Sequence, residues 1–291
     1  MKVNTILKSC FFAAVVTASG LFIGCTPEEV TSGNPLTQAN IDATFSGTTT
    51  DGNRYSFTSS DDDNIQYHTW KMTIAGDPEG SDDSETVGTS TYNRIFVFPG
   101  TYTIQHRVVG RTGGTNSVTE QTYTVTTTAL EDNILKSPNF ETPADWTVLN
   151  ISGTATNWTF NNGSATIMGG SSAQQGIYQA VNVVKGDYIL DMHVEGSGAT
   201  NTWFEVYLSP TAPVQGNDYS ADGTRIGLNT WAGCGTTPFN GLLSTLSCTG
   251  SGNPVHFDAP ATVYFLVKSG GDNLGTTGIT ISNVSLRRIM D

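Results

Sequence analysis

The stretch TWFEVYL, residues 202–208, reads as a half-buried β-strand, because its apolar side chains recur at every second position. The even-numbered side chains from 204 to 208 are all apolar and make an ordinary core face. The odd-numbered side chains place two aromatic rings about 7 Å apart on the other face, with a carboxylate between them. These three are Trp203, Glu205 and Tyr207.

The aromatic face has two interpretations. Large aromatic side chains are usually buried, so an exposed pair would need a ligand. A sugar ring is a suitable one, because its apolar C–H face stacks on an aromatic ring while its hydroxyls need acceptors such as Glu205. The other interpretation is that a second layer or a loop covers Trp203 and Tyr207 as ordinary core.

The rest of the chain favours an all-β fold. Short runs of Val, Ile, Thr, Tyr and Phe alternate with Gly, Asn and Pro turns, and no window holds a sustained apolar period of 3.6 residues. With 291 residues and 37% hydrophobic content, the chain can bury two modest cores.

The formal net charge of −13 limits the choice of partners. An acidic surface repels nucleic acid and anionic polysaccharides. We therefore expect a neutral partner and no nucleic acid.

Residues 1–24 have the pattern of a targeting segment. Two lysines, Lys2 and Lys8, precede an apolar run at residues 11–23 that is too short to span a bilayer comfortably. The sequence LFIGC, which ends at Cys25, resembles a bacterial lipobox. This resemblance implies that Cys25 is lipidated and begins the mature chain. The alternative is an ordinary cleaved secretory signal, in which Cys25 has no special role.

Residues 25–39 form a polar segment that we expect to act as a tether. Its Glu28-Glu29 pair resembles the acidic export signal of surface-exposed lipoproteins in Gram-negative polysaccharide degraders. The resemblance implies an outer-membrane protein that faces outward, is held to the membrane only by its lipid anchor, and has other components of a glycan-uptake complex as partners.

Two cysteines remain in the expected extracytoplasmic part, Cys234 and Cys248. We expect them to form a disulfide across a loop rich in Gly, Thr and Ser. Two cysteines alone do not make a metal site.

Residues 40–127 are read as a first domain with an immunoglobulin-like sandwich. The sequence FVFPGTYTIQHRVV, residues 96–109, resembles the Y-x-x-P-G-T-Y-T-V stretch of PKD domains. Trp70 stands where the W-D-F-G-D-G motif of that family begins. The resemblance implies a spacer or adhesion module. The predicted strands are residues 41–45, 54–58, 67–74, 93–98, 102–109 and 119–126.

Two acidic clusters in this domain raise the question of calcium, since hard cations bind several oxygens. They span residues 61–63 and 77–85, and neither has the spacing of a known calcium loop. His68 and His106 have no His or Cys partner at ligand spacing, so we expect structural or surface roles for both. No metal site is predicted.

Residues 133–291 are read as a second domain. The sequence NILKSPNFE, residues 133–141, followed by Trp146, resembles the opening of carbohydrate-binding modules of the family 4 and 9 type. Residues 176–190 resemble the G-x-Y-Q-x-V-x-V-x-x-G-x-x-Y stretch of that family, and residues 281–286 resemble its closing I-D-N-V-S-L. The resemblance implies a jelly roll of two antiparallel sheets, one face of which binds glycan.

The same resemblance bears on calcium. The family often holds a structural calcium near its closing Asp, but Ser282 replaces that residue here. We therefore expect no cofactor.

Two more segments show period-two patterns and predict further members of a binding face. Residues 189–195 present polar side chains at odd positions, and residues 225–231 do the same. If these strands adjoin residues 202–208, one surface carries aromatic rings and varied polar groups, as sugar sites do. The predicted glycan-binding residues are Trp203, Glu205, Tyr207, Trp231, Asn229, Arg225, His193 and Asp191.

Other roles stay open for several of these residues. His193 is equally interpretable as a hydrogen-bonded surface residue. Arg225 could pair with Asp191 or Glu195.

No catalytic motif accompanies this face. Glycoside hydrolases need two carboxylates set for acid and base chemistry, and no E-x-D-x-x-E is present. We therefore predict a non-enzymatic surface lipoprotein that binds a neutral polysaccharide, such as the β-glucan laminarin, for capture and uptake. The alternatives are a structural or adhesion lipoprotein that binds protein or matrix, and a cryptic glycan-cleaving enzyme.

Overall fold

The computed structural model describes residues 41–76, 85–111 and 116–290. The predicted signal segment 1–24, the lipidation site Cys25 and the tether 25–39 lie outside the described residues, as does most of the second acidic cluster. Within the described ranges, no helix has the length and apolar character needed to cross a membrane.

Two antiparallel sheets form the N-terminal sandwich. Its strands are β1 Phe45–Thr49, β2 Arg54–Ser59, β3 Ile65–Ile74, β4 Thr86–Gly88, β5 Thr91–Ile95, β6 Gly100–Gly110 and β7 Asn116–Val125. One sheet has the order β1-β2-β5 and the other the order β4-β3-β6-β7. Side chains from both sheets, including Phe57 and Trp70, pack together with Phe96 of the β5–β6 connection as the core.

All six predicted strands of this sandwich differ in their bounds from the observed ones, and for two of them the contacts show why. The strand expected at residues 41–45 begins only at Phe45. The carboxylate of Asp42 accepts hydrogen bonds from the backbone N–H and the hydroxyl of Thr44, which holds this segment in a turn. The strand expected at residues 93–98 ends at Ile95, because the next carbonyls bond outside the sheet.

The C-terminal sandwich contains eleven strands of the described chain. They are β8 Thr147–Ser152, β9 Asn157–Asn161, β10 Ser164–Met168, β11 Gly170–Val183, β12 Gly186–Gly196, β13 Thr200–Ser209, β14 Ile226–Asn229, β15 Phe239–Leu242, β16 Val255–Phe257, β17 Ala261–Asn273 and β18 Ile279–Arg288. A short helix, α1, spans Leu243–Leu246.

These strands form two antiparallel sheets around one large core. The five-stranded sheet has the order β14-β13-β17-β11-β8, and the other has the order β15-β12-β18-β10-β9 with β16 also paired to β12. The prediction of an all-β fold, an immunoglobulin-like sandwich followed by a jelly-roll sandwich, is confirmed.

The TWFEVYL stretch lies within β13, between β14 and β17. Its even-numbered side chains Phe204, Val206 and Leu208 belong to the core between the two sheets. Its odd-numbered side chains therefore lie on the outer face of the five-stranded sheet.

Residues 127–131 connect the two sandwiches and are bonded to both. The N–H of Ala129 donates to the carbonyl of Val97, and the N–H of Met290 donates to the carbonyl of Ala129. Leu130 forms an isolated antiparallel bridge with Ile289. The connection is thus fixed by backbone hydrogen bonds on both sides.

Candidate functional site

The outer face of the five-stranded sheet is organised in rows across β13, β17 and β11. Trp203 pairs with Gly270, which pairs with Gln174. The next row contains Glu205 and Lys268, opposite Gly176. The third row contains Tyr207, Leu266 and Tyr178. The first row is partly exposed to solvent at Trp203, whereas the third row is buried under residues 210–225.

Trp203 is half-buried, and its indole lies beside Gly270. A Cβ atom on Gly270 would come within 3.0 Å of the indole and within 2.7 Å of Cγ of Gln174. The glycine therefore makes the space in which the ring rests against the sheet. The amide of Gln174 borders this space, and its Oε1 has no hydrogen-bond partner among the described residues.

Lys268 lies at the centre of the outer face, on β17, and is only 3% exposed. Its Nζ lies 2.6 Å from Oδ1 of Asp218 and 3.6 Å from Oε2 of Glu205. The same ammonium lies 4.7 Å from the ring centre of Trp203 and 5.1 Å from that of Tyr207. A buried cation needs such partners, because desolvation of an unpaired charge is costly.

Tyr207 is held by its hydroxyl, which donates a hydrogen bond of 2.6 Å to Oε2 of Glu205. Burial, together with this bond to a carboxylate, raises the pKa of Tyr207 above its ordinary range. The phenol is therefore a permanent donor at physiological pH.

A loop of residues 210–225, here called the covering loop, crosses this face from β13 to the opposite edge of the sheet. The side chain of Gln215 donates to the carbonyl of Val148 and accepts from the N–H of Asn150. The N–H of Gly216 donates to the carbonyl of Asn150. The loop thereby attaches to edge strand β8.

The expected exposure of Tyr207 is wrong. Its side chain is 3% exposed and packs with Tyr219, Leu149 and Leu266 in a small apolar cluster. The ring of Tyr219 contacts that of Tyr207 edge to face at 5.5 Å. The covering loop seals this half of the face, so Tyr207 does not reach a ligand and instead positions Glu205 through its hydroxyl.

Trp231 is 63% exposed and lies in a 3₁₀ turn directly after β14. Asn229 pairs with Trp203 across the strands, and its side-chain oxygen accepts from the N–H groups of Trp231 and Ala232. The hydroxyl of Thr230 bonds the backbone of Thr202. The backbone of Trp231 is thus held next to the Trp203 end of the face by the side-chain oxygen of Asn229, which caps the turn.

Arg225 is not part of the open face. It precedes β14, and its Nη1 donates to the hydroxyl of Ser251 at 3.3 Å. Its side chain lines a polar recess at the edge of the sandwich. The alternative of a pairing with Asp191 or Glu195 is not found among the described residues, and the carboxylate of Asp191 binds Ser244 instead.

Asp191 and His193 do not join Trp203, because β12 belongs to the other sheet. The predicted alternation is correct within β12, where Leu190, Met192 and Val194 are buried. The carboxylate of Asp191 accepts from the N–H and hydroxyl of Ser244 at the start of α1. The prediction that one surface unites these residues is therefore wrong.

Sequence reasoning missed Lys268, Gln174 and the covering loop. Period-two alternation through β17 would have placed Lys268 on the same face as Leu266, and a lysine within that apolar strand was the available signal. The covering loop has no periodic pattern, and its contacts depend on single residues such as Gln215.

A disulfide joins Cys234 to Cys248, and the Cys234 end follows Trp231 closely in sequence. Over the described ranges, no group of three or more His, Cys, Asp or Glu residues is placed to hold a metal ion.

No family model and no curated protein matches the chain. One similar solved structure belongs to work on the promiscuous specificity of carbohydrate-binding modules from the β-sandwich superfamily. It has 17% identity and a TM-score of 0.31, with 83% of this chain and 96% of that chain covered. Another is the enzymatically active domain of tailspike protein 4 of bacteriophage CBA120. It has 14% identity and a TM-score of 0.35, with 53% of this chain and 21% of that chain covered. At these values neither similarity bears on function.

Proposed function

We propose that the C-terminal sandwich binds a neutral polysaccharide, without cleaving it, on the open half of its five-stranded sheet. The proposed ligand class is β-glucan, with laminarin as the best candidate. Trp203 and Trp231 supply the stacking surfaces, and Gln174 and Glu205 supply polar groups for sugar hydroxyls.

The observation that carries this proposal is the position of Trp203. Its ring is half-buried on an outer sheet face, with a glycine beside it and polar side chains around it. Buried tryptophans of this protein fill the cores, whereas Trp203 lies outside them and Trp231 projects into solvent. Two accessible indoles near polar groups match the chemistry of a saccharide, which presents an apolar ring face and peripheral hydroxyls.

Charge supports a neutral ligand. The chain carries a net charge of −13, which disfavours approach of a polyanion. The ammonium at the centre of the face, that of Lys268, is already paired with Glu205 and Asp218. No cation at the centre of this face is left for an acidic sugar.

The carboxylates of this face also support binding without cleavage. Glycoside hydrolysis needs one carboxyl as acid and a second as base or nucleophile at the scissile bond. Glu205 and Asp218 are both directed at Lys268, and Glu205 also accepts from Tyr207. We assign neither of them a catalytic step.

The cellular setting is a proposal from the sequence. A lipid on Cys25 would anchor the protein in the outer membrane, facing outward, and the N-terminal sandwich would hold the binding sandwich away from the membrane. Capture of polysaccharide for uptake, together with other components of an uptake complex, follows from this arrangement.

Affinity electrophoresis in gels that contain single polysaccharides tests the proposal. We expect laminarin to retard the wild-type protein and retardation to be lost in Trp203→Ala. Met168→Ala, which removes an exposed apolar side chain on the opposite sheet, is the matched control and should migrate as wild type.

Two results would contradict the proposal. Failure of every neutral polysaccharide to retard the wild type would favour an adhesion role with a protein or matrix partner. Release of reducing ends from a retarding polysaccharide would indicate an enzyme.

A further inference from the structure

A cavity of about 620 Å³ lies between the two sandwiches, away from the Trp203 face. Ligand sites in proteins commonly have this size and commonly occur where domains meet. Its walls include Ile95, Phe98 and Ile74 from the N-terminal sandwich and Ile189, Pro254 and Ile289 from the C-terminal one.

The N-terminal wall is fixed by hydrogen bonds at three successive carbonyls. The carbonyl of Phe96 accepts from the side chain of Asn53. The carbonyl of Val97 accepts from the N–H of Ala129, and that of Phe98 accepts from the hydroxyl of Tyr102 at 2.6 Å. This segment keeps its shape although it is not part of a strand.

Phe98 is 50% exposed at this wall. Its neighbour Phe96 is buried and stacks on Tyr102 at 4.2 Å, so the core does not need the ring of Phe98. An aromatic ring that is exposed in a concave surface, on a backbone held in place, is suited to stack against a ligand.

The C-terminal wall is equally fixed. The side chain of Asn253 donates to the carbonyl of Leu190 and accepts from its N–H, which holds Pro254 next to β12. The N–H of Ile289 donates to the carbonyl of Asp187. Both walls exist before any ligand arrives, so binding requires little ordering of the protein.

Polar side chains also line the cavity beside its apolar walls. Asn93 and Arg94 lie on the N-terminal side, and Asp187 lies on the C-terminal side next to His256. An amide, a guanidinium and a carboxylate can donate to and accept from hydroxyls. A purely apolar ligand such as an acyl chain would use none of these groups.

We propose that this junction cavity is a second saccharide-binding site, which takes one or two sugar units of a neutral glycan with a ring face against Phe98. The inference shares its ligand class with the proposed function but rests on different residues, so each can fail alone. Two sites on one chain would raise the avidity for a polymer through effective concentration.

Isoleucine δ1-methyl NMR of the protein with laminarin-derived glucose hexamers tests the site. Ile74, Ile95, Ile189 and Ile289 report on the cavity, and the indole N–H of Trp203, followed in the same titration, reports on the Trp203 face. We expect the four cavity methyls to shift in a saturable way in wild type and in Trp203→Ala. Phe98→Ala should raise the Kd derived from these shifts at least about tenfold, which is about 1.4 kcal/mol.

Val118→Ala is the matched control, since it removes an exposed apolar side chain from β7, outside the cavity lining, and should leave the shifts intact. Shifts confined to the Trp203 indole signal would overturn the second site while leaving the Trp203 face in place. Cavity shifts that are unchanged in Phe98→Ala would overturn the stacking geometry. Absence of any cavity shift would overturn the proposal.

Discussion

The Nζ atom of Lys268 lies 2.6 Å from Oδ1 of Asp218, and this contact joins the centre of the five-stranded sheet to the covering loop. Lys268 is 3% exposed whereas the side chain of Asp218 is 60% exposed. The pair is therefore buried at one end and open to water at the other. The covering loop is held over Tyr207 by this contact and by its attachment to β8.

Removal of Lys268 should destabilise the protein more than removal of its exposed partner. We expect Lys268→Ala to lower the free energy of unfolding by about 3 kcal/mol, the lower end for a broken buried pair, because Asp218 retains contact with water. Asp218→Asn should lower the free energy of unfolding by about 1 kcal/mol and increase hydrogen exchange in the covering loop. Urea denaturation and exchange mass spectrometry measure both. Equal costs for the two variants would contradict a buried Lys268.

Gly270→Ala should displace the Trp203 ring. The new Cβ would lie 2.7 Å from Cγ of Gln174, 2.8 Å from the carbonyl of Ala173 and 3.0 Å from the indole, so the groups around the ring must shift. We expect a loss of stability of about 1–3 kcal/mol and a loss of laminarin retardation. Gly241→Ala on β15 is the control, since its Cβ would meet only ordinary contacts at 3.5 Å. Wild-type retardation in Gly270→Ala would argue against the assigned ring position.

Loss of the disulfide should destabilise the loop that follows Trp231. The double variant Cys234→Ser, Cys248→Ser opens a loop of about 15 residues, which is worth about 3 kcal/mol in the chain-entropy account. Chemical denaturation measures the change, and reduction of the wild type should reproduce it. If reductant still lowered the stability of the double variant, the Cys234–Cys248 bond could not be the only structural disulfide in residues 116–290.

Acid should weaken the N-terminal sandwich through His106. Nδ1 of His106 lies 2.7 Å from the carbonyl of Ala43 and must carry the proton, and Nε2 lies 3.0 Å from Nδ1 of His68, which donates to it. Burial lowers the pKa of His106 below 6.5. The unfolded chain then binds more protons, so this stabilisation is complete above pH 6.5 and is lost as pH falls through the folded-state pKa.

Urea denaturation at about pH 7.5 and about pH 5.5 checks this dependence. We expect the acid-induced loss of stability to be smaller in His106→Gln. His256 is a control of opposite sign, because the carboxylate of Asp187 raises its pKa and its stabilisation is lost as pH rises through the raised pKa. His256→Gln should therefore enlarge the acid-induced loss. An unchanged pH dependence in His106→Gln would contradict the assignment.

The alternation of β13 could be predicted from sequence because side-chain direction in a strand is a local property. The neighbour of each strand in its sheet could not be predicted from sequence, because consecutive strands of a jelly roll lie in different sheets. Only residues 197–199 separate β12 from β13, yet the two strands lie in opposite layers. Asp191 and His193 were misplaced for this reason.

The covering loop explains the other failure. The burial of Tyr207 depends on Gln215, Gly216 and Asp218, which bind the far edge and the centre of the sheet through single contacts. No periodic or compositional signal precedes such contacts. Trp203 and Tyr207 occupy equivalent positions in the alternating pattern of the strand. Only the tertiary structure shows that the ring of Trp203 is partly exposed whereas that of Tyr207 is buried.

The indole N–H signals of the five tryptophans provide the most direct test of the Trp203 face. Those of Trp70, Trp146 and Trp158 donate to backbone carbonyls of the protein and serve as internal controls. In a ¹⁵N-resolved NMR titration with laminarin hexamers, we predict saturable shifts of the Trp203 and Trp231 signals and none for the other three. Saturable binding that leaves the Trp203 and Trp231 signals unmoved would contradict the proposed site, as would the absence of any shift with every neutral glucan tested.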